Sequence, residues 1–76
     1  MDWYTENNKL VKEFKFNDFV EALAFIVRVG ELAESLNHHP KIINEYNKVK
    51  LELCTHSEGN IVTSKDWELA NGIDAL

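Results

Sequence analysis

The sequence predicts an α+β fold: a two-layer sandwich in which an antiparallel four-stranded sheet carries its helices on one face, in the order β-β-α-β-β-α. Three observations lead to this prediction. Apolar residues recur at helical spacing between residues 17 and 36, apolar and polar residues alternate between residues 46 and 55, and Thr63 begins a capping-box sequence. At 76 residues the chain has room for a single domain spanning 1–76.

The first half of the chain predicts a hairpin followed by a long helix. Two short strands, Asp2–Thr5 and Lys9–Phe16, flank a turn at residues 6–8. Asn17 is a favourable N-cap, and the helix after it is expected to end near Leu36. The helix carries two apolar stripes: the Leu23 stripe (Leu23, Ile26, Val27 and Gly30) and the Phe25 stripe (Ala22, Phe25, Val29, Leu32 and Leu36).

The second apolar stripe indicates a partner chain, because a sheet can cover only one stripe of a helix. A chain of this size buries about 60% of the surface that it exposes when unfolded, so its core is small. Cys54 is the only cysteine, which excludes an internal disulfide. We therefore expect a homodimer or homotetramer that covers the Phe25 stripe. A helix embedded deeply in its own domain is the alternative.

The second half of the chain contains shorter elements. Asn37-His38-His39-Pro40 is predicted to be a loop, because proline cannot continue the helix and holds the preceding residue in an extended backbone. Residues 46–55 predict a half-buried strand, and residues 57–60 a turn into a short last strand at Ile61–Val62. The final helix begins after Thr63 and continues through residue 73.

Composition excludes several classes of partner. The net charge of −5 argues against direct binding of nucleic acid, which favours a basic face. The longest apolar run, Ala22 to Val27, is far shorter than the roughly 20 residues of a membrane span. One cysteine and an acidic, polar start favour a reducing cytoplasm over secretion. We expect a cytoplasmic protein with no membrane partner.

The three histidines, His38, His39 and His56, all lie at predicted element ends, where binding and catalysis concentrate. Histidine has an ordinary pKa of about 6.5, so it can exchange protons near neutral pH. Glu34 precedes His38 by one helical turn and could orient its ring. Two other interpretations stay open: solvated surface histidines, or a tetrahedral zinc site of the histidines with Glu34 or Asp66. Adjacent histidines on an extended segment point to opposite sides, which disfavours the zinc site.

One pattern joins these residues along the chain: Glu34-x3-His38-His39-Pro40-x5-Tyr46-x9-His56, followed by Asp66 within Thr-x-x-Asp-x-x-Leu-Ala. This pattern resembles the pterin-4a-carbinolamine dehydratase family, and the resemblance extends from about Leu10 to Ala70. The doubled histidine before proline, with a Thr-His pair at a set distance, makes it specific. One departure is a segment between His56 and Asp66 that is one residue longer than the family spacing.

The resemblance implies a hydro-lyase that removes water from a 4a-hydroxytetrahydropterin, with neither a cofactor nor a metal. It assigns acid–base catalysis chiefly to His38 and His56, with His39 binding or assisting. It implies that Glu34 orients His38 and that Asp66 bonds near His56. Members of the family pair through helices and sheet edges, which agrees with an oligomer formed through Asn17–Leu36. The residues implied to bind the pterin are Glu34, Asn37, Pro40, Thr55, Ser57 and Asp66. A non-catalytic dimerisation module with the same fold is the alternative function.

Overall fold

The chain begins with a hairpin whose turn is formed by two asparagines. In the computed structural model, which describes residues 2–76, strand β1 covers Tyr4–Glu6 and pairs antiparallel with β2, Lys9–Lys15. Asn7 and Asn8 have φ angles of 52° and 62°. Two successive left-handed residues form the type I′ turn, whose twist matches that of the flanking strands, and asparagine tolerates this conformation. The predicted hairpin is confirmed, although β1 begins at Tyr4 rather than at residue 2.

Helix α1 covers Phe19–Leu36, and its N-cap is Asp18 rather than the predicted Asn17. The Asp18 carboxylate accepts a hydrogen bond from the backbone N–H of Glu21 at 2.9 Å. The Glu21 carboxylate in turn accepts from the backbone N–H of Asn17 at 2.9 Å. Asparagine and aspartate are both good caps. The path of the chain from β2 into α1 places Asp18, rather than Asn17, where its side chain reaches the first turn. The predicted helix end is confirmed.

The two stripes of α1 have exchanged roles relative to the prediction. The Phe25 stripe faces the sheet: Val29 is fully buried, and the Phe25 ring lies 4.7 Å from the ring of Phe14 on β2. The Leu23 stripe faces outward, with Leu23 and Val27 exposed by 42% and 61%. The expectation that the Phe25 stripe needs a partner chain was therefore wrong. Helical periodicity yields both stripes, and only docking on the sheet selects between them.

The second hairpin contains the strand that sequence reasoning missed. Strand β3 covers Lys41–Glu45 and pairs antiparallel with β4, Lys48–Leu53. The reversal occurs at Tyr46, whose φ of 51° is uncommon for an aromatic residue. The Asn44 side chain supports it by donating to the backbone oxygens of Tyr46 and Lys48, at 3.2 and 2.9 Å. No glycine or proline marks this turn, and residues 41–45, which precede the predicted strand at 46–55, gave no sign of a strand of their own.

The predicted last strand at Ile61–Val62 is wrong, since Ile61 forms only a single bridge to Thr55. The sheet order is β1-β2-β4-β3, so the count of four strands is right, while one predicted strand, Ile61–Val62, is replaced by β3. Helix α2 covers Ser64–Asp74 and begins with the predicted capping box at Thr63 and Asp66.

Both helices contribute to one core on the inner face of the sheet, which confirms the α+β sandwich. The alternation along β4 is confirmed as well: Val49, Leu51 and Leu53 are buried. No helix in the described part of the chain combines the length and apolar character that a membrane crossing needs.

Candidate active site

The end of α1 places His38 and His39 in different surroundings. Asn37 ends the helix in the left-handed conformation, with φ of 50°. The backbone N–H of His38 then donates to Ala33 O at 3.0 Å, which is the bond pattern of a Schellman helix end. This reversal turns His38 towards α2, where its side chain is 14% exposed, while the side chain of His39 is 58% exposed. Pro40, which is half-buried, then leads the chain into β3.

The partner of His38 is Asp66, on the first turn of α2. His38 Nε2 lies 2.6 Å from Asp66 Oδ1, and the Asp66 side chain is fully buried. The other carboxylate oxygen, Oδ2, accepts from the backbone N–H of Thr63 at 2.8 Å and from the Thr55 hydroxyl at 2.8 Å. An ionised carboxylate can only accept a hydrogen bond, so beside it a neutral His38 ring donates its Nε2–H and has its lone pair on Nδ1.

The hydrogen bonds behind Asp66 run in one direction. Because Thr55 Oγ1 donates to Asp66, the 2.6 Å contact between the two threonine hydroxyls makes Thr63 the donor to Thr55. Thr63 Oγ1 then accepts from the backbone N–H of Lys65 at 3.3 Å. All buried side-chain polar atoms in residues 2–76 are hydrogen-bonded. The network therefore holds the carboxylate, and through it His38, in one orientation.

Glu34 bonds to His39 and not to His38, which corrects the prediction from helical spacing. His39 Nε2 lies 2.8 Å from Glu34 Oε2, and the Glu34 side chain is 79% exposed. The spacing argument assumed that the last turn of the helix persists through His38. Because Asn37 breaks the helix, His38 leaves the face on which Glu34 lies.

His56 begins a short 3-10 turn, His56–Glu58, that follows β4. Its Nδ1 lies 2.6 Å from Oδ1 of Asn60, which the sequence patterns had not singled out. Asp66 was expected to bond near His56, and it accepts from the hydroxyl of the adjacent Thr55, while its contact with a histidine ring is to His38. A signal for Asn60 did exist: an Asn after glycine in a turn favours the left-handed backbone that it adopts, with φ of 62°.

The three histidines meet at one cleft of about 280 Å³. Of the residues predicted to bind substrate, Asn37, Thr55 and Ser57 line it, whereas Glu34, Pro40 and Asp66 do not. Asp66 lies behind His38, and Glu34 behind His39. Lys65 also lines the cleft and was missed, because its place in the capping box showed only a helix start. Within residues 2–76, no three side chains of His, Cys, Asp or Glu converge closely enough to hold a metal ion.

Comparison with known proteins identifies the family. The sequence model of the family described as "Pterin 4 alpha carbinolamine dehydratase" matches residues 1–76. The chain belongs to this family.

Relatives of this dehydratase family match over almost the whole chain. Proteins named "Putative pterin-4-alpha-carbinolamine dehydratase" from Sulfolobus acidocaldarius and Prochlorococcus marinus strain NATL2A are 49% and 47% identical to it, each over 74 residues. These matches cover 97% of this chain and 80% and 77% of the two relatives.

Solved structures agree with the fold. A transcriptional coactivator/pterin dehydratase from Brucella melitensis superimposes with a TM-score of 0.89 at 39% identity, covering 96% of this chain and 79% of that one. A pterin dehydratase-like RuBisCO assembly factor of the alpha-carboxysome superimposes with a TM-score of 0.80, covering 99% of this chain and 88% of that one. Its identity of 23% shows a shared fold alone.

Proposed function

We propose that the protein is a hydro-lyase that converts a 4a-hydroxytetrahydropterin to the quinonoid dihydropterin. The observation that carries the proposal is the cleft into which His38, His39 and His56 converge, each held by a different oxygen acceptor. Membership of the dehydratase family supplies the substrate class.

The reaction needs two proton transfers, and the cleft offers a group for each. The carbon–oxygen bond at C4a breaks as a proton reaches the departing hydroxyl, which leaves as water. The neighbouring ring nitrogen loses a proton as the carbon–nitrogen double bond forms. Neither group ionises readily at neutral pH, so positioned acid–base catalysis contributes a typical 10²–10⁴-fold. The protein itself neither gains nor loses a proton over the cycle.

In this proposal His38 is the base. Its Nε2–H donates to buried Asp66, which leaves Nδ1 to accept the proton from the ring nitrogen. The carboxylate stabilises the imidazolium that forms, in the manner of the aspartate in a Ser-His-Asp triad. His56 is the acid for the hydroxyl, and exposed His39 binds or assists. Thr55, Ser57 and Asn37 contribute the polar wall of the cleft.

A dehydration assay tests the proposal. A 4a-hydroxytetrahydropterin generated in situ should decay to the quinonoid product faster with the protein than in buffer. The expected acceleration persists when a chelator is added, because no step uses a metal. The matched control is the double variant His38→Ala/His56→Ala, which should return the rate close to that of buffer. A wild-type rate equal to buffer would refute the enzyme.

A second candidate function is a dimerisation module, and the outward Leu23 stripe favours it. Along this side of α1, Phe19, Val20, Leu23 and Val27 are exposed by 44%, 73%, 42% and 61%. Such an apolar row is a surface that a second copy of the chain would cover. The Brucella melitensis relative is named both a transcriptional coactivator and a pterin dehydratase, which supports considering an interaction role beside the enzyme. We infer a homodimer or homotetramer that uses α1 together with the sheet edges.

Sedimentation of charged variants tests the oligomer. Val27→Glu should shift the protein towards monomer and leave it folded, because Val27 is 61% exposed. Asn71→Glu, at an exposed position of α2, is the control and should leave the mass unchanged. Val29→Glu would instead unfold the chain, since Val29 is fully buried. A wild-type monomer at high concentration would contradict the interface.

A further inference from the structure

His56 differs from the other two histidines in the chemistry of its partner. His38 and His39 each contact a carboxylate, whereas His56 contacts the neutral amide of Asn60, with 2.6 Å between Nδ1 and Oδ1. Among the described residues this is the one side-chain hydrogen bond of His56. A neutral acceptor can orient an imidazole without adding the attraction that a carboxylate exerts on the charged ring.

The loop that contains Asn60 is closed by backbone bonds. Thr55 N–H donates to Ile61 O at 2.8 Å, and Asn60 N–H donates to Thr55 O at 3.1 Å. Gly59 and Asn60 are consecutive left-handed residues, with φ of 88° and 62°. This backbone reverses within a few residues and returns the Asn60 side chain to the ring of His56.

The left-handed backbone alone would favour glycine at position 60, because an added side chain is disfavoured there. Asparagine is the commonest non-glycine residue in this conformation, so its presence has a purely conformational explanation. The contact with His56 is a second explanation for an asparagine at position 60. The two explanations predict different results for a substitution that keeps the backbone and removes the amide.

We propose that Asn60 is a positioning residue for His56. Its amide oxygen accepts the Nδ1–H of the ring, so the neutral imidazole has its lone pair on Nε2 and takes up a proton there. The imidazolium formed in this way gives that proton from Nε2 to the departing hydroxyl, which is the acid step proposed for His56. The catalytic part of this inference rests on the proposed dehydratase function. An amide turned the other way would donate to Nδ1 and place the ring proton on Nε2.

Nitrogen-15 NMR of the full chain with labelled histidine tests the contact directly. Spectra are compared at alkaline pH, where the His56 shifts no longer change with pH, because the two neutral tautomers have distinct ring shifts. The His56 signals are assigned by their loss in His56→Gln. We expect the Nδ1–H tautomer in the wild type, which is the reverse of the form that free histidine favours in water. A predominant Nε2–H tautomer would overturn the proposal.

Two variants at position 60 separate the amide from the backbone. Asn60→Gly keeps the left-handed backbone and removes the acceptor, so His56 should shift towards the Nε2–H tautomer. Asn60→Asp keeps an acceptor and should retain Nδ1–H. An unchanged tautomer in Asn60→Gly would show that the amide does not set the proton position, and the proposal would fail.

The first hairpin supplies a matched control. Asn8 has the same φ of 62° as Asn60 but lies in the turn between β1 and β2. Asn8→Gly makes the same chemical change at the same backbone angle, so it should leave both the His56 tautomer and the turnover unchanged. A loss of turnover equal to that of Asn60→Gly would assign the effect to the backbone and contradict the proposal.

Kinetics then test the catalytic consequence. Asn60→Gly should lower kcat about fivefold with little change in KM, well below the 10²–10⁴-fold contribution of an acid–base group because Asn60 acts only through His56, and Asn60→Asp should recover part of the loss. If the wild type does not dehydrate the pterin, the proposed function fails and the catalytic role of Asn60 with it. The NMR measurement of the His56 tautomer would still test whether Asn60 positions the ring. If the wild type is active and Asn60→Gly is equally active, the positioning role alone is refuted.

Discussion

Two histidine–carboxylate pairs flank the same cleft, and they differ in burial far more than in distance. The contacts are 2.6 Å for His38–Asp66 and 2.8 Å for His39–Glu34. The side chains of the first pair are 14% and 0% exposed, those of the second 58% and 79%. Water screens the second pair, whereas the first is surrounded by protein on most sides. Contact distance therefore does not distinguish the two pairs, whereas burial does.

The second difference is what holds each carboxylate. Besides its contact with His38, Asp66 accepts hydrogen bonds from the backbone N–H of Thr63 and the hydroxyl of Thr55. Glu34 has no recorded partner besides His39 within residues 2–76. A carboxylate that is fixed before the substrate arrives can impose an orientation on an imidazole, and a solvated one cannot.

The largest effect should come from the histidines themselves. His38→Ala should lower kcat by roughly 10²-fold or less, because His56 can still act. His39→Ala is the matched control from the exposed pair and should raise KM more than it lowers kcat. Steady-state kinetics of both variants provide the measurement. Were His39→Ala the more damaging to kcat, the distinction between the two pairs would be reversed.

The next effect should come from Asp66→Asn, which removes a charge without removing volume. The asparagine amide would present N–H groups to His38 Nε2, so the ring must adopt the other tautomer and lose its lone pair on Nδ1. We expect kcat to fall about tenfold, less than for His38→Ala because Asp66 acts through His38. Nitrogen-15 shifts of His38 report the tautomer. An unchanged tautomer together with full activity would refute the base assigned to His38.

A smaller effect is expected from Thr55→Val, which keeps the shape of the side chain and removes its hydroxyl. Asp66 Oδ2 then loses one donor and Thr63 its acceptor. The free energy of unfolding should fall by about 1–2 kcal/mol, the usual result of leaving buried partners unpaired. Thr5→Val, at an exposed position of β1, is the control and should change stability by less than about 0.5 kcal/mol. Urea unfolding compares the two, and equal effects would show that the buried network adds no stability.

The smallest effect should come from Glu34→Gln. An exposed ion pair contributes about 0–1 kcal/mol, and the amide can still accept from His39. We expect kcat within about twofold of the wild type and an unchanged unfolding midpoint. A tenfold loss of kcat in this variant, measured beside Asp66→Asn, would show that the exposed pair takes part in catalysis and that burial is the wrong criterion.

Part of the site was predictable because its signals are local. The capping box at Thr63 and Asp66 depends on neighbouring residues, and the loop at residues 37–40 depends on proline. The histidine pairing was predicted wrongly for Glu34, because a helical spacing holds only while the helix continues. The contact between His56 and Asn60 was not predicted, since a loop's path depends on the bonds that close it.

The sequence by itself determined the fold class, the hairpin at Asn7 and Asn8, both helices and the family to which the chain belongs. These features follow from residue periodicity, capping and turn chemistry, which operate over a few neighbouring positions. Only the tertiary structure decided which stripe of α1 lies on the sheet, where β3 pairs, and which acceptor each histidine meets. Each of these depends on groups that are distant along the chain or on the path of a closed loop. Their relative positions are set by the packing of helices on the sheet, which no local pattern specifies.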